Sequence, residues 1–199
     1  HTGDAVSFKA PPYLANLIVV GESAVPQLRN PTALRAAFES LRPFGGALWL
    51  PVAGETQTEF RRLIEEAKLE QANVQSADTH LLLTRVGPLP NASDWTHQYG
   101  DIGNTVKSDD ARVRAPLGLL WFGGNSNLDV LPRHGHGPPE QVVGGRMILQ
   151  GMHSFSARDV YTGRLLWKTE FTNLGTFGIY FDKSYTNTPL STAYNQRHI

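Results

Sequence analysis

Residues 159–168 read DVYTGRLLWK: a short run that suits a strand, a Thr-Gly dipeptide, and a second run that ends near an aromatic. The spacing predicts two antiparallel strands joined by a tight turn. In such a turn Gly163 supplies positive φ, while the side chains of Asp159 and Thr162 hydrogen-bond the turn backbone. Outward from it, QVVGGRMILQGMHSFSARDVYTGRLLWKTEF (141–171) divides into a strand, a Gly-Gly turn, the strand RMILQG, the strand SFSARDVY, the Thr-Gly turn and a last strand, RLLWKTEF. All lie at hairpin spacing, so this part of the chain is expected to be one antiparallel sheet.

The first part of the chain has a different pattern. LANLIVV (14–20) is an unbroken apolar run, as in a parallel strand covered on both faces. Asn30 is a suitable N-cap with Pro31 at the first helical position, and Leu34, Phe38 and Leu41 follow at i, i+4, i+7 until RPFGG stops the helix. GALWLPV (46–52) is the next strand. Thr56 and Glu59 form a T-x-x-E capping box, and Phe60, Leu63, Ile64 and Ala67 share one face of the helix behind it. THLLLTRV (79–86) is the third strand. The β-α-β-α-β order predicts a partial doubly wound α/β sheet followed by an all-β region. From Gly87 onward turn residues are frequent and no long helical period survives, which places a boundary near GPLPNASD (87–94), with domains at 1–88 and 89–199.

Composition narrows the function classes. Lys plus Arg balance Asp plus Glu at 18 each, so no charge bias favours nucleic acid or an acidic membrane. The absence of cysteine excludes disulfides and thiolate metal sites. No apolar run is long enough to span a bilayer, and HTGDAVSFKA has no signal-peptide pattern, so the chain as given is expected to be soluble. No G-x-S-x-G, P-loop or H-E-x-x-H motif occurs. His134 and His136, two apart in RHGHGPP, are read as part of a packed or solvated connection, with no metal expected. His97 and Asp101, at i, i+4, are read as a structural tie, and Asn91-Ala92-Ser93 as an incidental sequon.

Two resemblances add to this reading. TGDA (2–5), PPYLANLIVV (11–20) and a helix ending FESLRPFGGALWLPV (38–52) resemble the C-terminal half of a class I S-adenosylmethionine-dependent methyltransferase. The resemblance implies that Asp4, in the Gly-Asp pair before the family's fourth strand, contacts the adenine of S-adenosylmethionine. Asn16 stands where the family often has Asp, and the family's Gly-rich loop is absent, so this chain alone is not expected to hold that cofactor.

The pattern A-x-D-x-x-T-G-x-x-x-W, carried by Ala157, Asp159, Thr162, Gly163 and Trp167, resembles the repeat of quinoprotein-like (PQQ-repeat) β-propellers, a group that includes pyrroloquinoline-quinone dehydrogenases and outer-membrane assembly lipoproteins. The resemblance implies that Trp167 fills the gap between adjacent blades. Trp95, Tyr99, Gly100, Asp101, Ser108 and a strand ending in Trp121 are similar to the segment by which quinoproteins enter the propeller. A propeller needs at least four blades, so the expectation is a chain continued by other polypeptide segments, which complete both the α/β sheet and the propeller. The implied parent is a modular bacterial protein, a quinoprotein oxidoreductase or a methyltransferase, in an extracytoplasmic compartment. The alternative is a non-catalytic scaffold that presents propeller loops to a protein partner.

Overall fold

The computed structural model describes residues 10–124, 129–130, 139–151 and 154–171. The chain divides into two units, which meet in sequence at Pro90 and Asn91.

In the first unit, β1 (Leu17–Val19), a 3-10 helix (Glu22–Arg29), α1 (Pro31–Ser40), β2 (Gly46–Leu50), α2 (Glu55–Glu66), β3 (Ala72–Ala77) and β4 (His80–Arg85) follow in order. The sheet order is β1-β2-β4-β3. β1 pairs parallel with β2, and β4 runs antiparallel to both β2 and β3. Three strands of one sense, β1, β2 and β3, are therefore linked through helices, with β4 inserted between β2 and β3. The sheet is therefore mixed, and the helix residues of its core pack on one face of it, whereas a doubly wound sheet is covered on both.

The helix signals behave as chemistry requires at α1. Asn30 takes an extended conformation and its side-chain oxygen accepts the Thr32 amide at 2.9 Å, with Pro31 opening the helix. At α2 the expected capping box is replaced by another arrangement. Gly54, at φ 56° and ψ −129°, is the N-cap, and it makes no side-chain bond. Thr56 therefore lies inside the helix, where its helical backbone excludes a capping role. Glu59 instead accepts a fork of bonds from Arg29, at 3.0 Å from Nε and 3.0 Å from Nη2.

The third strand of the β-α-β-α-β reading also needs correction. It is ANVQSA, a mostly polar edge strand with no apolar run to mark it, whereas the apolar HLLLTR is a fourth, antiparallel strand. Gln57 fastens the hairpin they form, its Nε2 donating to Val52 O, Ala77 O and His80 O at 2.7, 2.6 and 3.1 Å.

Among the described residues, helices cover one face of this sheet. Leu48 and Leu50 of β2, opposite Leu83 and Leu81 of β4, form one core with Leu28, Leu34, Phe38, Phe60 and Ile64 of the helices. The other face carries Leu17, Val19, Ala47, Trp49 and Leu82, and here the expectation of a β1 buried on both sides fails: Leu17 is 58% and Val19 62% exposed. Among the described residues no helix packs over this face, and Ala47, Trp49 and Leu82 are half-buried beside the exposed Leu17 and Val19.

The second unit is an antiparallel meander. β5 (Gln141–Val143), β6 (Arg146–Gln150), β7 (Ser154–Asp159) and β8 (Leu165–Glu170) pair in sequence order. A β-bulge at Ala157/Arg158 shifts the register where β7 meets β8. The layout is thus a mixed α/β sheet followed by an antiparallel sheet. One four-stranded sheet is present among the described residues of this unit, with no closed barrel or propeller.

Candidate functional site

The most densely bonded part of the second unit is the turn between β7 and β8. Gly163 has φ +70°, the left-handed region expected of it. Asp159 is fully buried; its Oδ1 accepts the amides of Tyr161 and Thr162 at 2.9 and 3.1 Å, and the Gly163 amide donates to its carbonyl at 2.9 Å. Thr162 Oγ1 accepts the Arg164 amide at 3.4 Å. Ala157, also fully buried, lies opposite Trp167.

Sequence reasoning missed Arg158, and it named Trp121 without the contact that Trp121 makes here. Trp121 packs its indole against Gly163 and donates from Nε1 to Val160 O at 2.9 Å. Arg158, also buried, donates from Nη1 to Gly163 O at 2.8 Å and from Nη2 to Gly124 O at 2.6 Å. Neither contact has a sequence signal, because each joins the turn to a segment more than thirty positions away. Trp167, assigned to a gap between blades, is 43% exposed. Nor does a strand end at Trp121: residues 111–124 contain none, because no neighbouring strand is present for them to pair with among those described.

The remaining entry residues form a second constellation. Trp95 pairs with Val142 through N–H to O bonds of 2.9 and 2.8 Å, extending the sheet beyond β5. Asp94 accepts the Gly144 amide at 3.2 Å, so the segment grips the Gly-Gly turn as well. The Trp95 ring lies over Gly100, where φ is +98° and an added β-carbon would stand 3.3 Å from Cζ3. Tyr99, half-exposed, accepts the Val106 amide on its carbonyl. Ser108 Oγ accepts the Asp110 amide at 3.1 Å.

Asp101 closes a loop rather than an acid-base pair. The Thr105 hydroxyl donates to it at 2.5 Å and the Thr105 amide at 3.3 Å, and the hydroxyl bond above all holds its carboxyl below the ordinary value of 3.8, with His97 a minor contributor. At Asp110 burial acts to raise the pKa but is outweighed by the amides of Val113, Arg112 and Ser93, so the net shift is downward.

Asp4, the implied adenine contact, and His134 and His136 lie outside the described residues. Asn91 is exposed. Among the described residues no three His, Asp or Glu side chains converge as metal ligands, and no helix is long and apolar enough to cross a membrane. The assigned motif residues hold turns and strand ends together, and the hydrogen bonds named above close on the protein itself. No family model, curated protein or solved structure matches this chain.

Proposed function

We propose that this chain is a junction within a larger modular protein. In this reading the first unit is the C-terminal half of a methyltransferase-like domain and the second is the opening blade of a quinoprotein-like propeller. The observation that carries it is the bare apolar face on each sheet. In the first unit Leu17 and Val19 are exposed on that face, with Ala47, Trp49 and Leu82 half-buried beside them. In the second, Val143, Trp167 and Phe171 share a face and are 44%, 43% and 44% exposed. A sheet with helices on one side only, and a blade with no neighbour, both leave apolar area for a further layer to bury. The Asp159, Thr162 and Gly163 geometry supports the blade reading, because each residue has the local role the repeat assigns to it.

The parent is then an oxidoreductase or a methyltransferase whose pyrroloquinoline quinone or S-adenosylmethionine pocket is completed by other segments. A second reading is a non-catalytic scaffold, favoured by one observation: the motif residues are occupied in structural hydrogen bonds. Purification of the assembled protein from its source, followed by extraction and mass spectrometry, separates the two. Recovered quinone or S-adenosylmethionine supports the enzyme, and an intact folded assembly with neither supports the scaffold. The junction reading itself predicts that the isolated chain self-associates. A monodisperse monomer with one cooperative melt would overturn it.

A further inference from the structure

β3 forms one edge of the first sheet, since among the described residues it pairs with β4 alone. Natural edge strands are guarded by Lys, Pro, bulges or a covering element. ANVQSA contains no charge and no proline, and its pairing with β4 is unbroken over six residues. Any completion of the sheet beyond β1 leaves this opposite edge untouched.

Beside the edge, between β3 and α2, is a cleft of about 360 Å³. Its floor is apolar: Ile64 from α2, Leu69 from the connection, and Ala72 and Val74 from β3. Its rim carries Arg61, Glu65 and Lys68. Arg61 reaches across to Ser76 Oγ at 2.8 Å, a neutral acceptor that leaves its charge uncompensated. The Lys68 ammonium has no ion pair among the described residues. Since Ala72 stands at the Lys68 end and Ser76 at the Arg61 end, a cation marks each end of the groove, and the rim is net positive despite Glu65 between them.

We propose that this groove binds an extended peptide that adds a strand to β3, with one apolar side chain in the cleft and an acidic residue on either side of it. The complementarity is geometric and electrostatic. In a strand, residues two apart point to the same face, so residues at −2 and +2 from the apolar one stand about 14 Å apart. Arg61 and Glu66, the last residue of α2, stand about 8 Å apart along the helix, with Lys68 two residues further on, a separation that the long Arg61 and Lys68 side chains extend to match. Main-chain bonds to an open edge supply affinity, and side-chain pockets supply selectivity.

The test titrates a fluorescein-labelled peptide, Thr-Glu-Val-Leu-Val-Glu-Thr, against the 199-residue chain by fluorescence anisotropy. The expected Kd is below about 100 µM. N-methylation of the alternate peptide amides that face β3 should abolish binding. Lys68→Glu and Arg61→Glu, both at exposed positions, should each weaken it about tenfold. Replacing the facing Glu of the peptide with Lys should restore binding to the Lys68→Glu variant, a rescue that a misfolded protein does not give. No binding at millimolar peptide overturns the proposal, as does binding indifferent to N-methylation or to both charge reversals. Self-association that Lys68→Glu or Arg61→Glu abolishes, in a chain that binds no peptide, would assign the edge to a second copy and overturn it equally.

Discussion

Gly163 lies directly beneath the indole of Trp121: a β-carbon built on Gly163 would stand 2.5 Å from Trp121 Cδ2 and 3.0 Å from Cζ3. The glycine is thus required twice, for its positive φ and for the space its missing side chain leaves. Gly163→Ala combines left-handed strain with overpacking, and should destabilise the second unit by about 2–4 kcal/mol. Urea unfolding followed by circular dichroism reads this, and a midpoint equal to the parent's would show that the indole moves aside without cost.

The two tryptophans near the turn should differ in effect. Trp121→Ala loses packing on Gly163 and the bond to Val160 O, and should cost about 3 kcal/mol, whereas the half-exposed Trp167→Ala should cost about 1 kcal/mol in this chain. In the assembled parent, where the open face is covered, the cost of Trp167→Ala should rise towards that of a buried tryptophan. Equal losses in the isolated chain would contradict the observed packing.

Thr56 provides a test of the α2 start. If Thr56 capped the helix, its replacement by Ala would cost about 1 kcal/mol. With Gly54 at the N-cap, Thr56→Ala should shift stability by less than about 0.5 kcal/mol, comparable to the loss expected from Glu59→Gln at the half-exposed Arg29 pair. A clear destabilisation by Thr56→Ala alone would restore the capping box.

Acid should loosen the entry segment before the sheet. Asp101 and Asp110 both have folded pKa values below the ordinary 3.8, so their contribution is present above that value and is lost as pH falls through the lowered ones. Loss of amide protection, relative to intrinsic exchange at the same pH, at Thr105, Arg112 and Val113 below about pH 4, with β6 and β7 still protected, is the expected result. Asp101→Asn should remove the Asp101 part of this dependence. Simultaneous loss of protection in the sheet would place the acid-sensitive step elsewhere.

The features legible in the sequence were those written in adjacent residues. Asn30 and Pro31 marked α1, the Gly-Gly and Thr-Gly dipeptides marked the hairpins, and the apolar runs marked β2 and β4. What lay hidden depended on partners far along the chain. β3 is polar because it is an edge, so its strand character comes from pairing with β4 rather than from its composition. Arg85 has no motif, yet its buried guanidinium sits 5.3 Å from the Tyr13 ring and 5.2 Å from that of Phe38, and donates to Glu39 O and Leu41 O at the end of α1. The resemblance to the propeller entry put a strand end at Trp121, but a run of residues becomes a strand only where another strand is present to receive it.

The pairing of Trp95 with Val142 joins residues nearly fifty positions apart, while the neighbouring hairpins close over a few. Forming so long a loop surrenders more chain entropy than a hairpin does, and the bridge returns only two backbone hydrogen bonds for it. The meander is therefore expected to assemble first and the entry segment to latch on last, with the latch opening at a lower free energy than β6 or β7, an order that amide exchange on the native protein would read. Whatever reaches the β5 edge does so through this opening, by taking the place that Trp95 holds.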